Sequence, residues 1–115
     1  MGPHKVRQMM KSERDLARRR FRRQRNQNYL AKSGPHESVI VLDHLKPSYN
    51  IGKIFRSAEA FGARQIHLVG IDFFDPAPGM GAFKWVPAIF HKDFFSCYTD
   101  LVKKGYIPFI LEPGK

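Results

Sequence analysis

The chain has 115 residues, enough for one domain, and its 43% hydrophobic content supports a core. The formal net charge of +10 is concentrated, because residues 1–36 hold 11 of the 20 Lys/Arg and two of the 10 Asp/Glu. A nearly neutral domain with a basic arm implies a polyanionic partner, nucleic acid first and an anionic membrane surface second. The lone Cys97 excludes an internal disulfide, and no run approaches the ~18 apolar residues of a spanning helix.

The N-terminus has no apolar segment of a secretory signal, which together with the lone Cys fits a cytoplasmic, reducing location. An Arg-rich start also fits an organellar transit peptide. Residues 5–30 carry Arg14, Arg18, Arg19, Arg20, Arg22, Arg23 and Arg25. Their apolar positions (Val6, Met9, Met10, Leu16, Phe21) are too sparse to define a core face, so the segment reads as a flexible or conditionally helical arm. Ser33-Gly34-Pro35 breaks the pattern. The expected division is a basic arm over residues 1–36 and an α/β domain over residues 37–115.

Val39-Ile40-Val41-Leu42 is a short β-branched run, read as a parallel strand buried on both faces. A polar loop, Asp43 to Pro47, follows it. Asn50 to Phe61 reads as a helix, with Ile51, Ile54, Phe55 and Ala58 at i, i+3, i+4, i+7. Asn50 suits the N-cap and Gly62 the stop. Gln65 to Val69 is the second strand. Strand, helix and strand with short joins predict a parallel βαβ unit, hence a Rossmann-like sheet. A Pro-, Gly- and Phe-rich loop runs from Ile71 to Gly81. Trp85 to Phe90 reads as a third strand, short or at an edge because of Pro87. Asp93 to Lys104 reads as a helix with Phe94, Tyr98, Leu101 and Val102 on one face, stopped by Gly105. Ile107 to Leu111 reads as a fourth strand.

The chemistry concentrates at Asn50-Ile51-Gly52-Lys53-Ile54-Phe55-Arg56, after the carboxyl end of a strand, where open α/β sheets bind ligands. Gly52 and Arg56 share a helix face away from the apolar stripe. Gly inside a helix costs about 1 kcal/mol relative to Ala, so close approach of another backbone or a ligand should compensate. Packing with a surface Arg is the plain alternative. In the arm, Phe21 and Tyr29 could stack on bases. Phe73, Phe74, Phe83 and Trp85 fill a core or an interface, or stack on bases. His44 beside Asp43 sits at a strand's carboxyl end, either functional or a loop His satisfied by hydrogen bonds. His4, His36, His67 and His91 have no metal-ligand spacing, so no metal is expected. Gly79 and Gly81 precede no helix N-terminus and make no phosphate loop.

The stretch from Asn50 to Gly62 resembles the first motif of the SpoU (TrmH) family of RNA methyltransferases, part of the knotted SPOUT superfamily. Val39 to Asp43 and Ile66 to Gly70 resemble that family's first two strands. Gly81-Ala82 ahead of Trp85-Val86-Pro87 resembles a later segment. The resemblance covers roughly residues 38–112 and implies methyl transfer from S-adenosylmethionine to a ribose 2′-hydroxyl of tRNA or rRNA by a homodimer. Carried over, Arg56 acts on the target hydroxyl and Asn50 shapes the site, with Gly52 and Glu59 supporting the motif. Arg18, Arg19, Arg20, Arg22, Arg23 and Arg25 are expected to contact RNA. The family's two later donor-binding motifs, a Gly-Asn-Glu segment and a Ser/Asn-rich segment, do not occur before Lys115. The chain is therefore expected to be the front portion of such a domain. The alternatives are a non-catalytic RNA-binding module and a half-fold that pairs with another chain.

Overall fold

The computed structural model describes residues 3–46 and 49–107. Its elements in chain order are α1 (Pro3–Asn28), β1 (Val39–Asp43), α2 (Tyr49–Phe61), β2 (Gln65–Val69), two 3₁₀ turns (Ala77–Gly79 and Ala82–Lys84), β3 (Ala88–His91) and α3 (Phe94–Lys103). The three strands form one parallel sheet in the order β1-β2-β3, which bears out the α/β reading. Val39 pairs with Gln65 and Ile66 with Ala88. Among the described residues no helix is long and apolar enough to cross a membrane.

Alternation along the strands sends side chains to two faces. Ile40, Leu42, Ile66, Leu68, Ala88 and Phe90 face one core, together with Ile51, Phe55 and Ala58 of α2. Those three α2 residues are fully buried, so the expected helical stripe is the packed one. The helix begins at Tyr49, which puts Asn50 in the first turn rather than at the cap. Gly62 ends it at φ +72°, a conformation that costs a side-chain-bearing residue 1–2 kcal/mol at about the same angles.

Of the two states expected for the arm, the helical one is present, but its docking against the core was not expected. Pro3–Asn28 form one continuous helix, and its last three turns are docked. Ala17, Phe21 and Gln24 are buried at i, i+4 and i+7. Phe21 lies 5.1 Å from Phe74 and 5.5 Å from Phe83, ring centre to ring centre, with Phe73 and Phe90 at its edges. It is a core residue and is not available to stack on a base. Asn28 closes the helix against the sheet. Its Nδ2 donates to the carbonyls of Phe83 and Val86, both at 2.6 Å, and its Oδ1 accepts from the Ala88 amide at 3.0 Å. The following segment is anchored as well: the Gly34 amide donates to the Arg64 carbonyl and the His36 amide to that of Gly62.

The third strand starts three residues later than expected, at Ala88, because Ala82-Phe83-Lys84 winds into a 3₁₀ turn whose Ala82 carbonyl takes the Trp85 and Val86 amides. Phe74 and Phe83 are core residues, whereas Trp85 is exposed and Phe73 partly so. In α3, Asp93 is the N-cap and accepts from the Ser96 amide at 2.8 Å. That bond holds its carboxyl below the usual carboxylate range. The expected apolar face of α3 is not packed: Phe94, Tyr98 and Val102 are exposed, and Cys97 is its one buried residue. The expected fourth strand falls largely on residues 108–111, outside the described residues.

Candidate functional site

The α2 opening and the basic helix converge on the loop from Asp75 to Gly81. Gly52 makes this possible. A Cβ there would sit 3.0 Å from the Asp75 carbonyl oxygen and 3.2 Å from the Gly79 amide nitrogen, and a Cβ on Gly79 would overlap the Gly52 carbonyl. Two backbones meet at a contact that excludes a Cβ at Gly79 and leaves little room for one at Gly52. The compensation expected for a helical glycine is therefore a neighbouring backbone.

One turn on, Arg56 is exposed. Its Nη1 donates to the Met80 sulfur at 3.0 Å, and Met80 is itself exposed at φ +52°. Among the described residues no carboxylate pairs with Arg56. A thioether is a weak acceptor, so the guanidinium keeps most of its hydrogen-bonding capacity for an anionic or hydroxylic ligand. From α1, Arg20 reaches the same loop and pairs with Asp75 at 3.6 Å. The Asp75 carboxylate also accepts from the Ala77 amide at 3.0 Å, fixing the loop's entry.

Asn50 is half-buried in the first turn of α2, and among the described residues no hydrogen bond joins it to Arg56. Glu59 is exposed on the next turn. At the end of β1, His44 adopts φ +53° and its Nδ1 lies 2.5 Å from the Asp43 carboxylate. Its ring covers Gly70, where a Cβ would overlap it. This is a loop histidine satisfied by its neighbour.

The six arginines expected to contact RNA divide into two groups. Arg18, Arg19, Arg22 and Arg23 are exposed. Arg20 is tied to Asp75, and the Arg25 guanidinium lies 4.4 Å over the Phe90 ring. A cleft of about 270 Å³ beside Arg25 is lined by Asn28, Tyr29, Ala88, Ile89 and Phe90. It includes none of Asn50, Gly52 and Arg56.

Sequence spacing gives no hint of the group formed by His67, His91 and Cys97, whose ligand atoms lie within 4.8 Å of one another. The strand register assembles it, because Val69 pairs with His91 and so sets His91 diagonally across from His67 on the α3 face.

Residues 37–115 match the model of the SpoU rRNA methylase family. No curated protein and no solved structure matches the chain.

Proposed function

Because the chain belongs to the SpoU rRNA methylase family, its general activity is RNA methyl transfer, and we propose that its target is a ribose 2′-hydroxyl presented to Arg56 while the arginine face of α1 holds the RNA. The observation that carries this reading is the exposed Arg56 guanidinium, held by a sulfur rather than a carboxylate, on the loop that Arg20 of the basic helix also grips.

Arg56 acts as a cation. Deprotonating a guanidinium at neutral pH costs about 7–9 kcal/mol from its reference pKa, so it is a poor general base. Kept charged, its planar fork binds a phosphate oxygen beside the target and stabilises the oxyanion that develops on the 2′-oxygen. The exposed Arg18, Arg19, Arg22 and Arg23 neutralise backbone phosphates without reading sequence.

S-adenosylmethionine, the donor of this proposal, supplies an electrophilic methyl group when bound. The glycines beside the candidate site leave no room for it. Gly70 is covered by His44, Gly52 and Gly79 cover each other, and the cleft lies against α1 and β3. The same observation favours a second reading, an RNA-binding module that does not itself transfer methyl groups.

Calorimetry with S-adenosylmethionine and fluorescence anisotropy with a tRNA or rRNA fragment separate the two. Donor heat, together with methyl transfer that fails on a 2′-deoxy target and is lost in Arg56→Lys, supports ribose methylation. Tight RNA binding with no donor heat supports the second reading. In either case, replacing Arg18, Arg19, Arg22 and Arg23 by Gln should flatten the slope of log K against log salt by about 3. An unchanged slope would remove α1 from the RNA interface.

A further inference from the structure

We propose that His67, His91 and Cys97 form a three-ligand site for a zinc-class metal ion that pins α3 to the sheet. The proposal is independent of the RNA reading.

The donor set is the first argument. Two imidazoles and a thiol select zinc or a soft transition ion over magnesium or calcium, which prefer oxygen. Each residue arrives from a different element: His67 from β2, His91 from the last position of β3 and Cys97 from the first turns of α3. His67 and Cys97 are fully buried and His91 half-buried, which leaves one side open for entry and for a water as fourth ligand.

The orientation of His67 is the second. Its Nε2 lies 2.5 Å from the Gln65 side-chain oxygen, which can only accept. The ring proton is therefore on Nε2, and the Nδ1 lone pair faces His91 Nε2 at 2.7 Å. A partner on the far nitrogen that fixes the tautomer is what metal-bound histidines have. Metal binding would release the Cys97 thiol proton.

The distances require small side-chain rotations. Tetrahedral zinc with bonds near 2.0–2.3 Å sets its nitrogens about 3.4 Å apart and nitrogen from sulfur about 3.6 Å. The two nitrogens must part by about 0.7 Å from their bridged distance, and the sulfur must close from within 4.8 Å. In exchange the ion replaces the proton shared between the rings. The gain falls on the element that needs it, since Cys97 is the one buried residue of α3 while Phe94, Phe95, Tyr98 and Val102 remain exposed.

The test uses the metal-stripped full chain titrated with cobalt(II) as a spectroscopic probe, then with zinc in competition. A one-to-one complex with a thiolate-to-cobalt charge-transfer band, displaced by zinc, is expected. Cys97→Ala should abolish the band, and His91→Ala should weaken zinc binding by at least about 100-fold. Gln65→Leu should keep the band and weaken binding about 10- to 100-fold. Zinc should raise the melting temperature of the parent chain but not of His91→Ala, a half-exposed position chosen so that folding survives. Cobalt binding without the thiolate band, or zinc affinity unchanged in both Cys97→Ala and His91→Ala, overturns the site.

Discussion

Replacing Phe21 by Ala tests whether the basic helix is part of the domain or a tail attached to it. Phe21 is 6% exposed and has four phenylalanine rings around it, at centroid distances of 5.1 to 6.3 Å. Truncating a buried Phe costs about 3–5 kcal/mol, because the lost transfer energy is joined by a cavity that rigid neighbours do not refill. Here the neighbours include Phe74 and Phe83, both fully buried and packed on each other at 4.7 Å, so little collapse is available. Against a total stability of about 5–15 kcal/mol, the loss is more than half if stability sits near the low end. Urea unfolding followed by circular dichroism should show a lower midpoint at unchanged m, with a melting temperature down by more than about 12 °C. Leu16→Ala, one turn earlier and 46% exposed, serves as the control and should cost less than about 1 kcal/mol. If Phe21→Ala also costs less than about 1 kcal/mol, the helix is not docked and the reasoning fails.

Asn28→Leu should destabilise the fold by about 2–4 kcal/mol in the same assay, since three backbone groups lose their partner at once. Gly79→Ala should cost more than Gly52→Ala. Its Cβ would overlap a backbone carbonyl, with overpacking worth about 1–3 kcal/mol, whereas at Gly52 the contact is looser and better helix propensity returns about 1 kcal/mol. Thermal melts of the two variants check the order, and a reversed order would contradict the paired-glycine contact.

The parts of the fold legible in the sequence are those held by apolar periodicity. β1, β2 and α2 stand within a residue of their expected bounds because Val39–Leu42, Gln65–Val69 and the Ile51–Ala58 stripe each have one pattern to satisfy. The docking of α1 was not legible, because its buried face mixes Phe21 with Ala17 and the polar Gln24, and Asn28 works through hydrogen bonds that no hydropathy pattern encodes. The third strand starts late because the Trp85 and Val86 amides close the preceding 3₁₀ turn on the Ala82 carbonyl instead of pairing in the sheet. At the site, a glycine inside a helix announced a close backbone, but its partner Gly79 and the Met80 sulfur beside Arg56 depend on how a loop folds back. The His67–His91–Cys97 group follows from strand register, which local spacing does not carry.

The docking of α1 has a thermodynamic consequence. Exposed arginines, Arg18, Arg19, Arg22 and Arg23 among them, stand on a helix whose side chain at position 21 completes the interior. A polyanion that prefers those arginines in their helical arrangement thereby prefers the folded chain, and mass action turns that preference into resistance to unfolding. Saturating the helix with nucleic acid would tighten the sheet it rests on, and loosening the interior would weaken the grip outside.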